Sequence, residues 1–183
     1  WGGVYRTCRE LKERLVFASS VGGFDFLIVH LDGDVAEYRY EDAGIHDVEN
    51  DLPCAVIGDT VSSICEKLER VLFRWVSDVK DAPPIVFCIP YIATETWAGA
   101  LVFPESWADI SEDCDEDLVY ARLIALGRPK KEKLRRLMRL NREGSPKKVT
   151  STYNQIGGYI TQETWQSVVH QYKQAEKFDV QLK

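Results

Sequence analysis

A chain of 183 residues, 45% of them hydrophobic, can build one good core, or one core with an appendage. No stretch approaches the roughly 18 apolar residues needed to span a bilayer, and no signal-peptide pattern opens the chain, which speaks against a membrane protein. The net charge of −6 argues against general, non-specific nucleic-acid binding.

Trp1 in place of Met points to a processed or trimmed start. Cys8, Cys54, Cys65, Cys88 and Cys114 are scattered, with no CxxC pair and an odd total, so a reducing, cytoplasmic setting fits better than a disulfide framework. His30, His46 and His170 do not cluster with them as zinc ligands would.

In chain order, Val4, Cys8, Leu11, Leu15 and Val16 at helical spacing predict a helix over 3–18. Gly22-Gly23 breaks it before an apolar strand at about 25–31. Residues 35–58 are acidic and rich in turn signals, with room for a short strand at 54–57. Asp59 suits the N-cap of a helix over 60–79, whose apolar face includes Val61, Ile64, Leu68, Val71, Leu72 and Trp75. Pro83-Pro84 stops that helix and starts a second apolar strand, Ile85–Ile89. Two continuous apolar strands joined by a helix fit a parallel sheet covered on both faces. A further helix begins near Thr94, and helices are expected at 115–126, 129–141, 151–160 and 161–176. The fold class is therefore α/β, with an α/β domain over 1–103 and a helical C-terminal part over 104–183.

The first strand runs out in Asp32-Gly33-Asp34. In an extended backbone residues i and i+2 project to one side, so Asp32 and Asp34 stand together where the strand leaves the core. Such a pair repels unless a cation lies between the carboxylates, and Mg²⁺ takes oxygen ligands of this kind. The same tripeptide also suits a plain polar turn. Glu95 follows the end of the second strand by a few residues, so neighbouring strands would bring Asp32, Asp34 and Glu95 to one sheet edge. Glu95 could equally complement the positive end of its helix. Trp97 and Trp107 read as core or interface residues rather than platforms for bases.

From Arg128 to Lys148, ten basic residues face only Glu132 and Glu143, so this stretch carries +8 and the remainder −14. Lys130, Lys131, Arg135, Arg139, Lys147 and Lys148 are the candidate nucleic-acid contacts within it, on an otherwise acidic chain. A solvated helix face balanced by the acidic residues of 105–117 is the other reading.

The ordered set of a strand ending Asp-x-Asp, a helix, a strand ending Ile89-Pro90 and a Glu95-Thr96-Trp97 helix resembles the Toprim fold. It is closest to small prokaryotic Toprim-like proteins of the RloB and OLD-nuclease type. Lys147-Lys148 with Tyr153, and the ending Ala175-Glu176-Lys177-Phe178, are similar to later elements of that group. The resemblance implies Mg²⁺- or Mn²⁺-dependent phosphodiester chemistry on DNA or RNA, commonly strand cleavage and sometimes defence against foreign DNA. It implies Asp32 and Asp34 as metal ligands, Glu95 as a further acidic ligand or orienting group, and Lys147 and Lys148 against the substrate backbone. A homo-oligomer or a partner ATPase would suit the same group.

Toprim catalytic sites usually also carry a glutamate after a first strand. Residues 1–9 contain no acid, and Glu10 lies inside the predicted helix. Either that strand lies upstream, which Trp1-Gly2-Gly3 as a following loop would suit, or this member is catalytically incomplete. Two further readings remain open. One is a non-catalytic module that binds nucleic acid or a protein through its basic helix. The other is an Asp-x-Asp phosphatase with Asp32 as nucleophile and Asp34 as acid.

Overall fold

The structure, a computed structural model, describes residues 1–21, 25–46, 48, 51–76, 84–91, 93–130, 139–140, 146–147 and 150–183. It is a mixed α/β protein, mostly helical, with a small two-stranded parallel sheet. The chain forms two compact units, Trp1–Tyr91 with Lys177–Lys183, and Ile92–Glu176.

In the first unit, helix α1 (Gly2–Val21) is followed by strand β1 (Leu27–His30), 3-10 turns at Gly33–Glu37 and Tyr40–Ala43, helix α2 (Val61–Val76) and strand β2 (Ile85–Cys88). β1 and β2 are parallel, with Val29 opposite Phe87 and His30 opposite Cys88. The predicted apolar stripe of α2 is the buried one: Ile64, Leu68, Val71, Leu72 and Trp75 all enter the core. Tyr5 and Trp1 pack on Trp75, whose indole N–H donates to the Tyr40 hydroxyl at 2.9 Å. Tyr40 in turn donates to Asp51, and burial followed by that bond raises its hydroxyl well above the ordinary value.

Several expectations are corrected here. Gly2 and Gly3 are not loop but the first turn of α1, where a Cβ on Gly2 would meet Ala43 at 2.8 Å. Residues 54–57 form no strand; the Cys54 and Ala55 amides both donate to the Ala36 carbonyl, which fixes the segment as a loop. The cap of α2 is Thr60, whose hydroxyl accepts from the Ser63 amide at 3.3 Å. Asp59 instead ties the preceding turn, accepting from the Val56 amide at 2.8 Å and the Lys67 ammonium at 2.6 Å.

The second unit contains α3 (Thr94–Val102), α4 (Pro104–Trp107), α5 (Glu116–Lys130), the short antiparallel pair β3 (Arg139–Leu140) and β4 (Pro146–Lys147), α6 (Thr150–Gly157) and α7 (Gln162–Gln171). Its core centres on Trp107, which is fully buried. A Cβ on Gly99 would sit 2.2 Å from the Trp107 ring, so only glycine lets α3 approach this closely. Trp97 is also buried and meets Trp165 edge-on, with ring centroids 6.0 Å apart.

The helix expected over 129–141 is not continuous: α5 ends at Lys130, and Arg139-Leu140 pairs as a strand with Pro146-Lys147. The expected helix over 161–176 breaks at Tyr172, which takes an extended conformation (φ −124°, ψ 124°). The break lets the buried Tyr172 hydroxyl donate to the Ile110 carbonyl at 3.0 Å, while Gln171 donates to the Trp107 carbonyl at 2.9 Å. The chain resumes as α8 (Lys173–Gln181), whose first turn belongs to the second unit and whose remainder belongs to the first.

Candidate functional site

The parallel ladder continues past the strand ends. Leu31 donates its amide to the Cys88 carbonyl at 3.0 Å, and Gly33 donates to Pro90 at 2.8 Å. The two chain exits therefore run side by side, and Gly33 makes this possible. A Cβ there would meet the Tyr91 ring at 3.0 Å, its Cα at 3.1 Å and the Pro90 carbonyl at 3.3 Å. Asp32 and Asp34 flank this contact, both half-buried, at the carboxyl end of β1. That is the end of an α/β sheet where ligands are ordinarily bound.

The backbone departs from strand geometry between the two acids. Asp32 is still extended (φ −68°, ψ 143°), but Gly33–Glu37 closes into a 3-10 turn with Asp34 in its first turn. The same-side projection expected from an extended chain therefore does not reach Asp34. The tight turn at Gly33–Glu37, not strand alternation, sets the course of the backbone between the two acids.

Two residues stand at this exit that the Asp-x-Asp pattern does not include. His30 Nε2 lies 3.8 Å from Asp32 Oδ1, and Cys88 stands opposite His30 across the ladder. Burial, with the Asp32 charge adding to it, pushes the Cys88 thiol up to about 12, so it stays protonated and is not an activated nucleophile despite the histidine across from it. The period of two along the strand places His30 on the same side as Asp32 and was the available signal.

Glu95 belongs to the second unit, in the first turn of α3, and is only 2% exposed. The Tyr153 hydroxyl on α6 donates to its Oε1. Tyr120 on α5 donates to Glu116, and its hydroxyl is held well above the ordinary value by burial, by that bond and by the nearby charge of Glu95. Glu95 is thus part of a buried carboxylate–tyrosine group, whereas Asp32 and Asp34 sit at the sheet exit of the first unit. Among the described residues no group of three or more His, Cys, Asp and Glu side chains is arranged to hold a metal ion. Two carboxylates at one turn are still a donor set that suits Mg²⁺, which commonly takes one or two carboxylates and completes its shell with water.

Of the basic candidates, Lys131, Arg135 and Lys148 lie outside the described residues. Lys130 ends α5, Arg139 lies in β3 and Lys147 in β4, so the backbone distributes them over a helix terminus and a hairpin. Their side chains lie outside what is described. No helix among the described residues is long and apolar enough to cross a membrane. Compared with known proteins, the chain matches no family model, no curated protein and no solved structure.

Proposed function

We propose that this protein is a Toprim-like, metal-dependent enzyme of phosphodiester chemistry on nucleic acid, nuclease-like in its reaction. The observation that carries the reading is the Asp32–Asp34 pair at the carboxyl end of the first of two parallel strands joined through α2. Asp32 and Asp34 would hold Mg²⁺ or Mn²⁺. Bound there, the ion supplies polarisation of a phosphoryl oxygen and activation of water.

The chain's own part is positional. Gly33 locks the two exits together and so fixes the carboxylates, while His30 stands beside Asp32 as a second polar group facing an incoming phosphate. The resemblance would add Glu95 as a further acidic group, but its burial and its bond from Tyr153 suit a structural member, so the metal reading rests on Asp32 and Asp34. Lys147 and Lys148 would contact the substrate backbone, where a cation offsets phosphate charge. Five free cysteines accord with a reducing, cytoplasmic setting.

The test is calorimetric titration of Mg²⁺ and Mn²⁺ into the wild type, Asp32→Asn and Asp34→Asn, with cleavage of linear DNA and RNA assayed on the same preparations. Saturable binding and cleavage that both disappear in the variants are expected. Full activity in both variants would place the site elsewhere.

The second reading is a non-catalytic module that binds nucleic acid or a protein partner through the basic run, which the backbone divides between the end of α5 and the β3–β4 pair rather than carrying it on one helix. Reversing charge at Lys131, Arg135 and Arg139 should then weaken DNA or RNA binding and flatten its salt dependence, with log affinity against log salt as the measurement. An unchanged slope would assign the run to internal pairing or solubility.

A further inference from the structure

The two outer edges of the β1–β2 sheet differ. On β2 the outward Phe87 N–H donates to Oε1 of Gln181, at the end of α8, at 3.0 Å, so a carboxamide closes that edge. On β1 the bonds to β2 run through the odd residues, as Leu27 donates to the Pro84 carbonyl and Leu31 to Cys88. Ile28, one residue out of phase, therefore turns its N–H and C=O away from β2. Among the described residues no strand pairs with β1 on that side.

The side chains change in the same direction across the sheet. Ile28 stands opposite Val86 in the parallel register, so the two share a face. Val86 is 5% exposed, whereas Ile28 is 44% exposed and Phe26, two residues before it, 49%. The apolar cover of that face thus stops between β2 and β1, beside an edge whose peptide groups point outward. A hydrophobic edge of this kind is a template for another strand.

The strand matches itself. Two copies of β1 set antiparallel about a two-fold axis at Ile28 place Ile28 against Ile28, Leu27 against Val29 and Phe26 against His30. No like charges are opposed. An axis at His30 would instead face two imidazoles and set Ile28 on Asp32.

We propose that the outer edge of β1 pairs with the same edge of a second copy of this chain, antiparallel about Ile28, in a four-stranded sheet ordered β2-β1-β1-β2. Two strands alone make a marginal sheet, and four are an ordinary number. The contact spans about four residues a side, so the dimer is weak, with a Kd of about 1–100 μM. Because the paired strands run in opposite directions, the two Asp32-Gly33-Asp34 exits lie at opposite ends of the joint sheet. The surface belongs to the first unit and does not rest on the metal-site reading.

The test is sedimentation velocity of the full chain from about 1 μM to about 500 μM. A monomer–dimer equilibrium is expected, and its loss in Ile28→Lys, which sets two ammonium groups against each other on the axis. Ile28 already stands partly in water, so this variant should keep the thermal unfolding midpoint of the wild type. Mild oxidation locates the axis. Ile28→Cys should cross-link two copies, because the residue faces itself, while Phe26→Cys, opposite His30, should cross-link no faster than the wild type with its own cysteines. A monomer throughout the range overturns the proposal and leaves the edge to a different protein. So does a dimer that persists in Ile28→Lys, or cross-linking of Ile28→Cys no faster than that of Phe26→Cys.

Discussion

The two units treat their carboxylates in opposite ways. Asp32 and Asp34 stand at a strand exit, half in water. Glu95 is sealed in the core of its unit and bonded by a tyrosine hydroxyl. A carboxylate that keeps its water can exchange it for a cation at modest cost. One that has already exchanged water for a phenol is a structural member first, because removing it strands the partner. The lesson is that acidic residues with similar positions after a strand can do different work, and burial distinguishes them.

Stability measurements can break that contrast. Gly99→Ala in the second unit should have the largest effect. The new methyl falls on the Trp107 ring, and the cost should be about 3 kcal/mol in denaturant unfolding. Next, Glu95→Ala should destabilise by about 2 kcal/mol, while Asp32→Asn should change stability by no more than about 0.5 kcal/mol. Equal losses for the two would erase the distinction between a structural and a ligand-facing acid.

The smallest effect sharpens the comparison within the first unit. The Lys67 bond, then the Val56 amide, hold the Asp59 carboxyl below its ordinary value of 3.8. A lowered folded value means that the bond contributes stability in full above 3.8, and that this contribution is lost as pH falls through the lower value. Acid titration of the unfolding free energy should therefore fall less steeply for Asp59→Asn than for the wild type below about pH 4. Parallel curves would show that the tie contributes nothing measurable.

Much of the first unit was legible because strong periodicity leaves little choice. The stripe from Ile64 to Trp75 could bury itself only as one face of a helix, and the runs 25–31 and 85–89 contain the observed strands. The loop between them was not legible, since its shape depends on Ala36 accepting two amides from residues far along the chain. The reasoning that singled out Asp32-Gly33-Asp34 was partly wrong about the backbone. Strand alternation suggested a shared side, but the turn at Gly33 sets the geometry, and the demand for glycine comes from Tyr91, 58 positions later in the sequence. The burial of Glu95 was hidden because Tyr153 reaches it across the fold of the second unit. The helix break at Tyr172 was hidden too, because its cause is a carbonyl at Ile110, which no local pattern announces.

The course of α8 has a consequence for how this protein is made. The first unit is complete only when residues 177–183 join residues 1–91, and the acceptor for the Phe87 amide is Gln181. During synthesis the second unit emerges in one uninterrupted run, whereas the first must hold its earlier residues until the segment from Lys177 onward arrives. A nascent chain therefore carries the edge of β2 uncapped for as long as the second unit takes to be translated, and that interval is when a chaperone or a stray strand has its best access to it.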